Sequence, residues 1–419
     1  MSRKGCARKG KKSMVDVLIA GGGIAGSALA ILLGRRGLIV ELFERARFPR
    51  EKPCGEGLMP AGVAVLDRLG LAEAVGGAPF YGVRYHFGDQ TADGRFPEVA
   101  GRPVAGRAQR RKRLDHTLFQ AAAATPGVTA RTGALVEAPL IENARVAGLL
   151  VNGEAHCARL VVAADGAHSR IRHRLGLDLP SRRKRLGVRA HFRLAAGQPQ
   201  PPWVDVFAGR GYELYVAPLP ERELLVAALA DAEAWGDSAE RAFHRWWRAE
   251  PSLASRLEGA EQVSSLMGSS PLASRARKGV APGVVLLGDA AGFCDPITGG
   301  GMTQALMSAE LLARYVVRGL ERQEEWLGEF ERARRRMLRD YRMLTQIVLW
   351  VADHRRFATG LLFALKNSPR VFAHLVGVSG GVTHLFGLAT SGSKQKAWLA
   401  HQRFSPDRDK LLADLKQII

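Results

Sequence analysis

The sequence predicts a mixed α/β fold: a parallel-sheet domain, interrupted by an antiparallel sheet and followed by a helical region. Three observations predict it. Near the start, an apolar run enters a glycine-rich turn and then a helix-like stretch. From about Leu186 to Ser274 the pattern changes to short strands separated by Gly and Pro turns. Val284–Leu287 then restores a buried-type strand with a helix behind it.

Val15–Ala20 (Val-Asp-Val-Leu-Ile-Ala) is short, apolar and ends in Gly21-Gly22-Gly23, as a buried parallel strand does. Ile24–Arg36 carries small residues on one side and reads as a helix, with Gly37 suited to its C′ position. Leu38–Phe43 is a second strand closed by Glu44. Strand, Gly turn, helix, strand and acid together make one βαβ unit of a doubly wound, Rossmann-like sheet. Pro60–Leu71 and Leu114–Ala124 read as helices, Val83–Phe87 and Gly94–Phe96 as β-like. Val128–Thr132, Arg145–Val151 and His156–Ala164 read as further strands. Val188–Leu194, Val204–Ala208, Tyr212–Ala217 and Leu224–Ala230 form the inserted antiparallel sheet, with a helix at Ala239–Ala249. Thr303–Arg318 is helical, and the chain beyond Glu321 is mostly helical. The expected organisation is a basic leader at 1–13, then a dinucleotide domain at 14–82, 101–183 and 275–320. A substrate sheet occupies 83–100 and 184–274, and a helical region 321–419.

With 47% hydrophobic and 24% charged residues among 419, the composition is globular and not disordered. Net charge is +21, part of it concentrated in Arg3, Lys4, Arg8, Lys9, Lys11 and Lys12. That leader lacks the apolar core of a secretory signal, and Met14 is an alternative start. The remaining Arg excess fits a generic solubilising surface or an anionic membrane surface. No nucleic-acid module accompanies it, so no nucleic-acid partner is expected. Cys6, Cys54, Cys157 and Cys294 show neither C-x-x-C nor metal-ligand spacing, which predicts unpaired thiols, no metal and a cytoplasmic setting.

Gly21-x-Gly23-x-x-Gly26 supplies a tight turn, a close backbone approach to a pyrophosphate, and close helix–strand packing. The helix N-terminus behind it, with Ile24 and Ala25, offers unpaired N–H groups and a positive dipole end. Glu44 can accept from ribose hydroxyls and would repel a 2′-phosphate; Arg45 follows it. Downstream, residues 286–302 (Leu-Leu-Gly-Asp-Ala-Ala-Gly-Phe-Cys-Asp-Pro-Ile-Thr-Gly-Gly-Gly-Met) supply what FAD needs beyond NAD. These are an acid for a ribityl hydroxyl, then small residues and backbone N–H groups beside an anionic flavin edge.

Between them lies Val-Val-Ala-Ala-Asp165-Gly166-Ala-His-Ser-Arg-Ile-Arg. These two internal segments resemble the signatures of p-hydroxybenzoate hydroxylase-type flavoproteins, which include monooxygenases, geranylgeranyl-reductase-like enzymes and flavin halogenases. The resemblance implies that Gly21, Gly23, Gly26 and Glu44 hold the ADP half of FAD. It places Asp289 on the ribityl chain, and Pro296, Gly300, Gly301 and Met302 along the flavin. Arg111, in Arg-x-x-Leu-Asp, would contact the cofactor, and Asp165-Gly166 would support FAD and an approaching nicotinamide. Pro53–Pro60 (Pro-Cys-Gly-Glu-Gly-Leu-Met-Pro) would border the flavin, with Cys54 read as a small packed residue.

The halogenase pattern Trp-x-Trp-x-Ile-Pro is absent. The reductase pattern Tyr-x-Trp-x-Phe-Pro is replaced before Pro218 by Glu213, Tyr215 and Ala217. The resemblance then implies a monooxygenase in which reduced flavin and O2 give a C4a-hydroperoxide that hydroxylates a hydrophobic phenol, quinol or polyketide-like molecule. A double-bond reductase is the alternative, and a flavin redox sensor or electron carrier a third class. His191 and Tyr215 are the candidate catalytic side chains, His191 as a base by its ordinary pKa. Trp203 and Tyr212 are pocket candidates beside a packing role. No second Gly-rich βαβ unit exists for a nicotinamide, which disfavours a resident NAD(P)H domain; NAD(P)H is expected as a transient co-substrate docking at the flavin, with another electron donor also compatible. The apolar helices within Leu344–Ala364 and Pro369–Leu388 read as a cap, or as a surface resting peripherally on the inner face of a membrane.

Overall fold

Val15–Ala20 forms strand β1, whose last four residues are fully buried. The computed structural model describes residues 15–88, 90–180, 183–321 and 325–386. The basic leader at 1–13 and the expected helical chain beyond 386 lie outside the described residues. Helix α1 (Ile24–Gly34) follows the glycine turn, and strand β2 (Val40–Glu44) lies parallel to β1. The sheet runs in the order Val280–Ala281, Val284–Leu286, Glu154–Ala163, β1, β2, Val128–Thr132. All neighbours from Val284–Leu286 onward are parallel. A parallel sheet needs both faces covered. One is covered by α1, Arg111–Ala123 and Gly301–Gly319, whose apolar sides meet in a single core with Val17, Ile19, Leu42 and Val162.

An antiparallel hairpin, Val136–Glu142 and Arg145–Val151, extends from Glu154–Ala163. Its first strand was not foreseen because Pro139 argues against a strand. The hydrogen-bond partner of this strand is Arg145–Val151 alone, so it is an edge where proline is tolerated.

A second sheet runs Glu261–Gln262, Arg185–Arg193, Glu223–Asp231, Tyr212–Leu219, Val204–Ala208, Gly82–Phe87, Gln90–Arg95. The expectation of a purely antiparallel sheet needs correction, since Val204–Ala208 runs parallel to Gly82–Phe87. Those two strands come from distant parts of the chain, so no hairpin constrains their relative direction. One face packs on Ala239–Arg248 through Ala190, Phe192, Leu214 and Val226. The strand period then places Arg189, His191, Tyr215 and Ala217 on the opposite face, toward the first sheet.

Arg339–Asp353, Arg355–Lys366 and Pro369–Gly380 close the outer part of that face. Phe372 and Val376 press so closely on Gly94 that a Cβ there would lie 2.5 Å from Val376. Cys54 and Cys294 are free, whereas Cys157 is disulfide-bonded, which corrects the expectation of unpaired thiols throughout. Sequence spacing carries no signal for a bridge between distant cysteines.

Candidate active site

The glycine turn is built by close approach. Gly21 has φ +105°, and a Cβ there would come 2.3 Å from the Ala164 carbonyl oxygen. At Gly26 a Cβ would lie 1.9 Å from the Gly21 oxygen, so any side chain would push α1 off the turn. Gly23 differs: the nearest atom to its Cβ position is Arg50 Nη2 at 3.7 Å. Gly23 caps α1 with no side-chain bond, leaving the first N–H groups of the helix, at Ile24 and Ala25, facing a cleft.

Glu44 is buried at the end of β2. Its Oε2 accepts from the Gly22 N–H at 3.0 Å and Oε1 from the Ala46 N–H at 2.9 Å. Arg45 is exposed, and the cation beside Glu44 is Arg50, 3.6 Å from it and 3.0 Å from Asp115. Arg111 makes a two-point pair with Asp115 at 2.7 and 2.8 Å while lining the cleft. Burial pushes the Asp115 carboxyl up, but Arg111 and Arg50 more than offset this and hold it below the usual range.

The cleft, of about 280 Å³, is lined by both Gly23–Ala25 and Gly300–Met302. Helix Gly301–Gly319 also begins without a side-chain cap. It starts two residues earlier than expected, so Gly301 and Met302 belong to its first turn. Asp289 lies on the wall, 3.8 Å from Lys52, with Pro296 and Gly166 also exposed to the cavity. Asp165 sits behind Gly166. Its Oδ2 accepts from the Arg170 and Ile171 N–H groups, while Oδ1 is buried without a partner. Burial raises its pKa.

Two uncapped helix N-termini lining one cleft, with the acid Asp289 on its wall, fit a dinucleotide with negative groups at both positions. Gly23, Ile24 and Ala25 would hold the pyrophosphate, Glu44 the ribose, Asp289 the ribityl chain, and Gly300, Gly301 and Met302 the flavin edge. Arg50 and Lys52 also face this site. They were missed because they lie in the loop after β2, where no periodicity predicts direction.

His191 does not reach the cleft. It is fully buried, with Nε2 2.8 Å from Glu56 Oε2 and Nδ1 3.0 Å from Ser264 Oγ. Glu56 also accepts from the Arg111 N–H at 2.9 Å and has φ +56°. It therefore ties the Pro53–Pro60 segment both to the helix starting at Arg111 and to the second sheet. Such a backbone conformation persists only where its surroundings hold it. Tyr215 lines the cleft; its hydroxyl donates to the Ile297 carbonyl at 2.9 Å, and burial, then Glu213, raises its pKa. Tyr212 lies apart, stacked on Trp246 and bonded to Glu250, and Trp203 packs beneath Arg84 and Arg95.

A second cavity of about 220 Å³ adjoins the cleft. Met59, Val204, Tyr215, Thr298 and Gly299 wall both spaces. Its other walls are mostly apolar residues of the second sheet, such as Val83 and Phe87, and of the carboxy-terminal helices, such as Leu344, Leu362 and Phe372, with Glu213 among them.

A family model described as FAD binding domain matches residues 14–343. The chain is 29% identical to a menaquinone reductase of Mycolicibacterium smegmatis over 73% of its own length and 76% of the relative's. It is 31% identical to a putative 2-heptyl-3-hydroxy-4(1H)-quinolone synthase of Rhodococcus erythropolis, covering 76% and 84% of the two chains. The fold matches a crystal structure of a flavoprotein/dehydrogenase from Cytophaga hutchinsonii with a TM-score of 0.77 at 23% identity, covering 88% of this chain and 93% of that one.

Proposed function

The chain belongs to the FAD binding domain family of p-hydroxybenzoate hydroxylase-type flavoproteins and is an FAD-dependent oxidoreductase; from that premise we propose that it is a monooxygenase hydroxylating a hydrophobic phenol-, quinol- or quinolone-like molecule. One observation carries the reading: an apolar cavity lies against the part of the cleft where Gly300–Met302 would meet the flavin, the two sharing Tyr215, Thr298 and Gly299 as walls. Bound FAD supplies reversible two-electron chemistry and, with O2, an electrophilic oxygen. The chain's own residues bind, orient and exclude water. The N–H groups at the start of α1 hold the pyrophosphate, and those at the start of Gly301–Gly319 hold the flavin edge. Met59 and Val204 keep the junction of the two cavities dry. Tyr215, anchored to the Ile297 carbonyl, fixes the loop before the flavin end. NAD(P)H acts as a transient donor, since no second nucleotide unit accompanies the first.

His191 acts in this reading as a positioning residue, through Glu56, on the segment bordering the flavin. A membrane is the source of the substrate. Ile347, Trp350, Phe357 and Phe363 are each about half exposed or more on the helices that wall the apolar cavity. Among the described residues no helix is long and apolar enough to cross a membrane.

The reductase alternative is supported by the menaquinone reductase relative and opposed by Glu213, Tyr215 and Ala217 in place of that branch's pattern. The test is the absorption spectrum of the purified protein, followed by oxygen uptake with NAD(P)H across long-chain phenols, quinols and isoprenoid lipids. Substrate-stimulated O2 uptake is expected. Lack of any flavin binding would refute the reading, and reduction of an isoprenoid without O2 uptake would favour the reductase. Bound flavin without substrate-stimulated turnover would favour the sensor or electron carrier.

A further inference from the structure

Glu213 is the one carboxylate among the described residues walling the apolar cavity. Three of its polar neighbours in that wall are engaged internally. Tyr215 donates to Ile297, Thr298 Oγ1 is 2.9 Å from Thr345 Oγ1, and His86 Nε2 is 2.7 Å from Asp205. Glu213 Oε2 pairs with Arg185, and among the described residues no donor bonds Oε1. Arg185 is itself buried and spends its other arm on Asp295, at 2.7 Å. Asp295 lies on the cleft wall and caps the turn at Ile297, at 3.1 Å. One guanidinium therefore hydrogen-bonds two carboxylates, one in each cavity, and has a third, the exposed Asp231, 3.8 Å from its Nε.

Resting on the proposed monooxygenase reading, we propose that Glu213 is the catalytic base for the substrate, taking the hydroxyl proton of a phenol- or enol-like headgroup carried on an apolar body. In that step the substrate O–H bond breaks, its electron pair stays on the substrate oxygen, and the proton forms a new O–H bond at Glu213. The released pair conjugates into the ring and makes its carbon more nucleophilic. The charge count suits the exchange. With Glu213 and Asp295 both ionised, the one buried guanidinium of Arg185 lies between two buried carboxylates, with Asp231 shared with Arg183 at the surface, so a proton is readily accepted there. Burial raises the Glu213 carboxyl most, Arg185 partly offsets this, and the result is about 7.

The other groups facing Glu213 are Arg183, which bonds Asp231 and Asp353, and the phenols Tyr85 and Tyr215. Burial and Glu213 push Tyr85 up to about 12, so it stays protonated across the neutral range and competes for no proton.

The test uses the holoprotein and two probes, 4-heptylphenol and 4-heptylanisole, with dissociation constants measured from pH 5.5 to 8.5. Protonated Glu213 can donate to either oxygen, whereas ionised Glu213 can accept only from the phenol. The preference for the phenol is expected to rise through about pH 7 and reach about ten-fold, the size of one hydrogen bond to a charged group. Glu213→Gln should make the ratio independent of pH with its flavin spectrum intact, and Tyr85→Phe should leave the rise in place. A flat ratio in the wild-type holoprotein, or the same rise in the Gln variant, would overturn the proposal while leaving the flavin reading standing. Protein that binds no FAD would instead remove the reading on which it rests.

Discussion

Gly301→Ala should strengthen the apoprotein and weaken its hold on FAD, and these opposite signs make it a sharp test of where the flavin lies. Gly301 opens the 19-residue helix Gly301–Gly319, and a Cβ there would meet no protein atom within 4 Å. Nothing in the protein resists the added methyl. Removing a glycine from a helix should gain up to about 1 kcal/mol, chiefly by narrowing the unfolded ensemble. For a chain of 419 residues, with an unfolding entropy of about 2.1 cal/mol/K per residue, that gain raises Tm by about 1 °C. The same methyl points into open space beside the Gly300–Met302 end of the cleft. If the flavin edge packs there, an extra methyl in a filled contact costs about 1–3 kcal/mol, or roughly a 5- to 150-fold rise in Kd. Thermal melts of deflavinated protein and FAD titration by fluorescence quenching read the two terms separately. An unchanged Kd would refute the placement of the flavin against Gly301. An apoprotein less stable than wild type would refute the reading of that turn as free of packing.

Two further outcomes follow from the same geometry. Asp165 has a carboxyl raised above its unfolded value by burial, so its contribution is present below the unfolded pKa and lost as pH rises through the folded one. Asp165→Asn should match wild-type Tm in acid, gain on it as pH rises through the folded pKa of Asp165, and hold that gain above it; a difference independent of pH would sink this account. Wild-type protein should float with phosphatidylglycerol vesicles at low salt. Trp350→Ser with Phe363→Ser, which removes two side chains at least half exposed, should lower binding by at least about ten-fold; equal flotation of the two proteins would exclude this face as the docking surface.

Much of the architecture was legible because each element's local pattern agreed with its place. Val15–Ala20 and Val204–Ala208 carry apolar runs bounded by turn residues, and they are strands with those bounds. Val136–Glu142 was not legible, because Pro139 speaks against a strand unless an edge position is known. In the site, Gly23, Ile24, Ala25, Asp289 and Gly300–Met302 could be named because turns and helix starts carry their signals in adjacent residues. His191 was named for its intrinsic pKa, and tertiary contacts enclosed it with Glu56 and Ser264 instead. Arg50, Lys52 and Glu56 sit in a loop whose course depends on what it packs against, so spacing could not aim them.

The sequence by itself determined most of the elements and the cofactor class, since the Gly21–Gly26 turn and residues 286–302 are local devices with local physical causes. Only the tertiary structure decided what stands opposite what. It paired Val204–Ala208 in parallel with Gly82–Phe87, set the carboxy-terminal helices over that sheet, and left an apolar cavity beside the cleft. It also brought Arg185 between Glu213 and Asp295, residues separated by up to 110 positions. Such encounters arise from packing between distant segments, where neither periodicity nor motif spacing reaches.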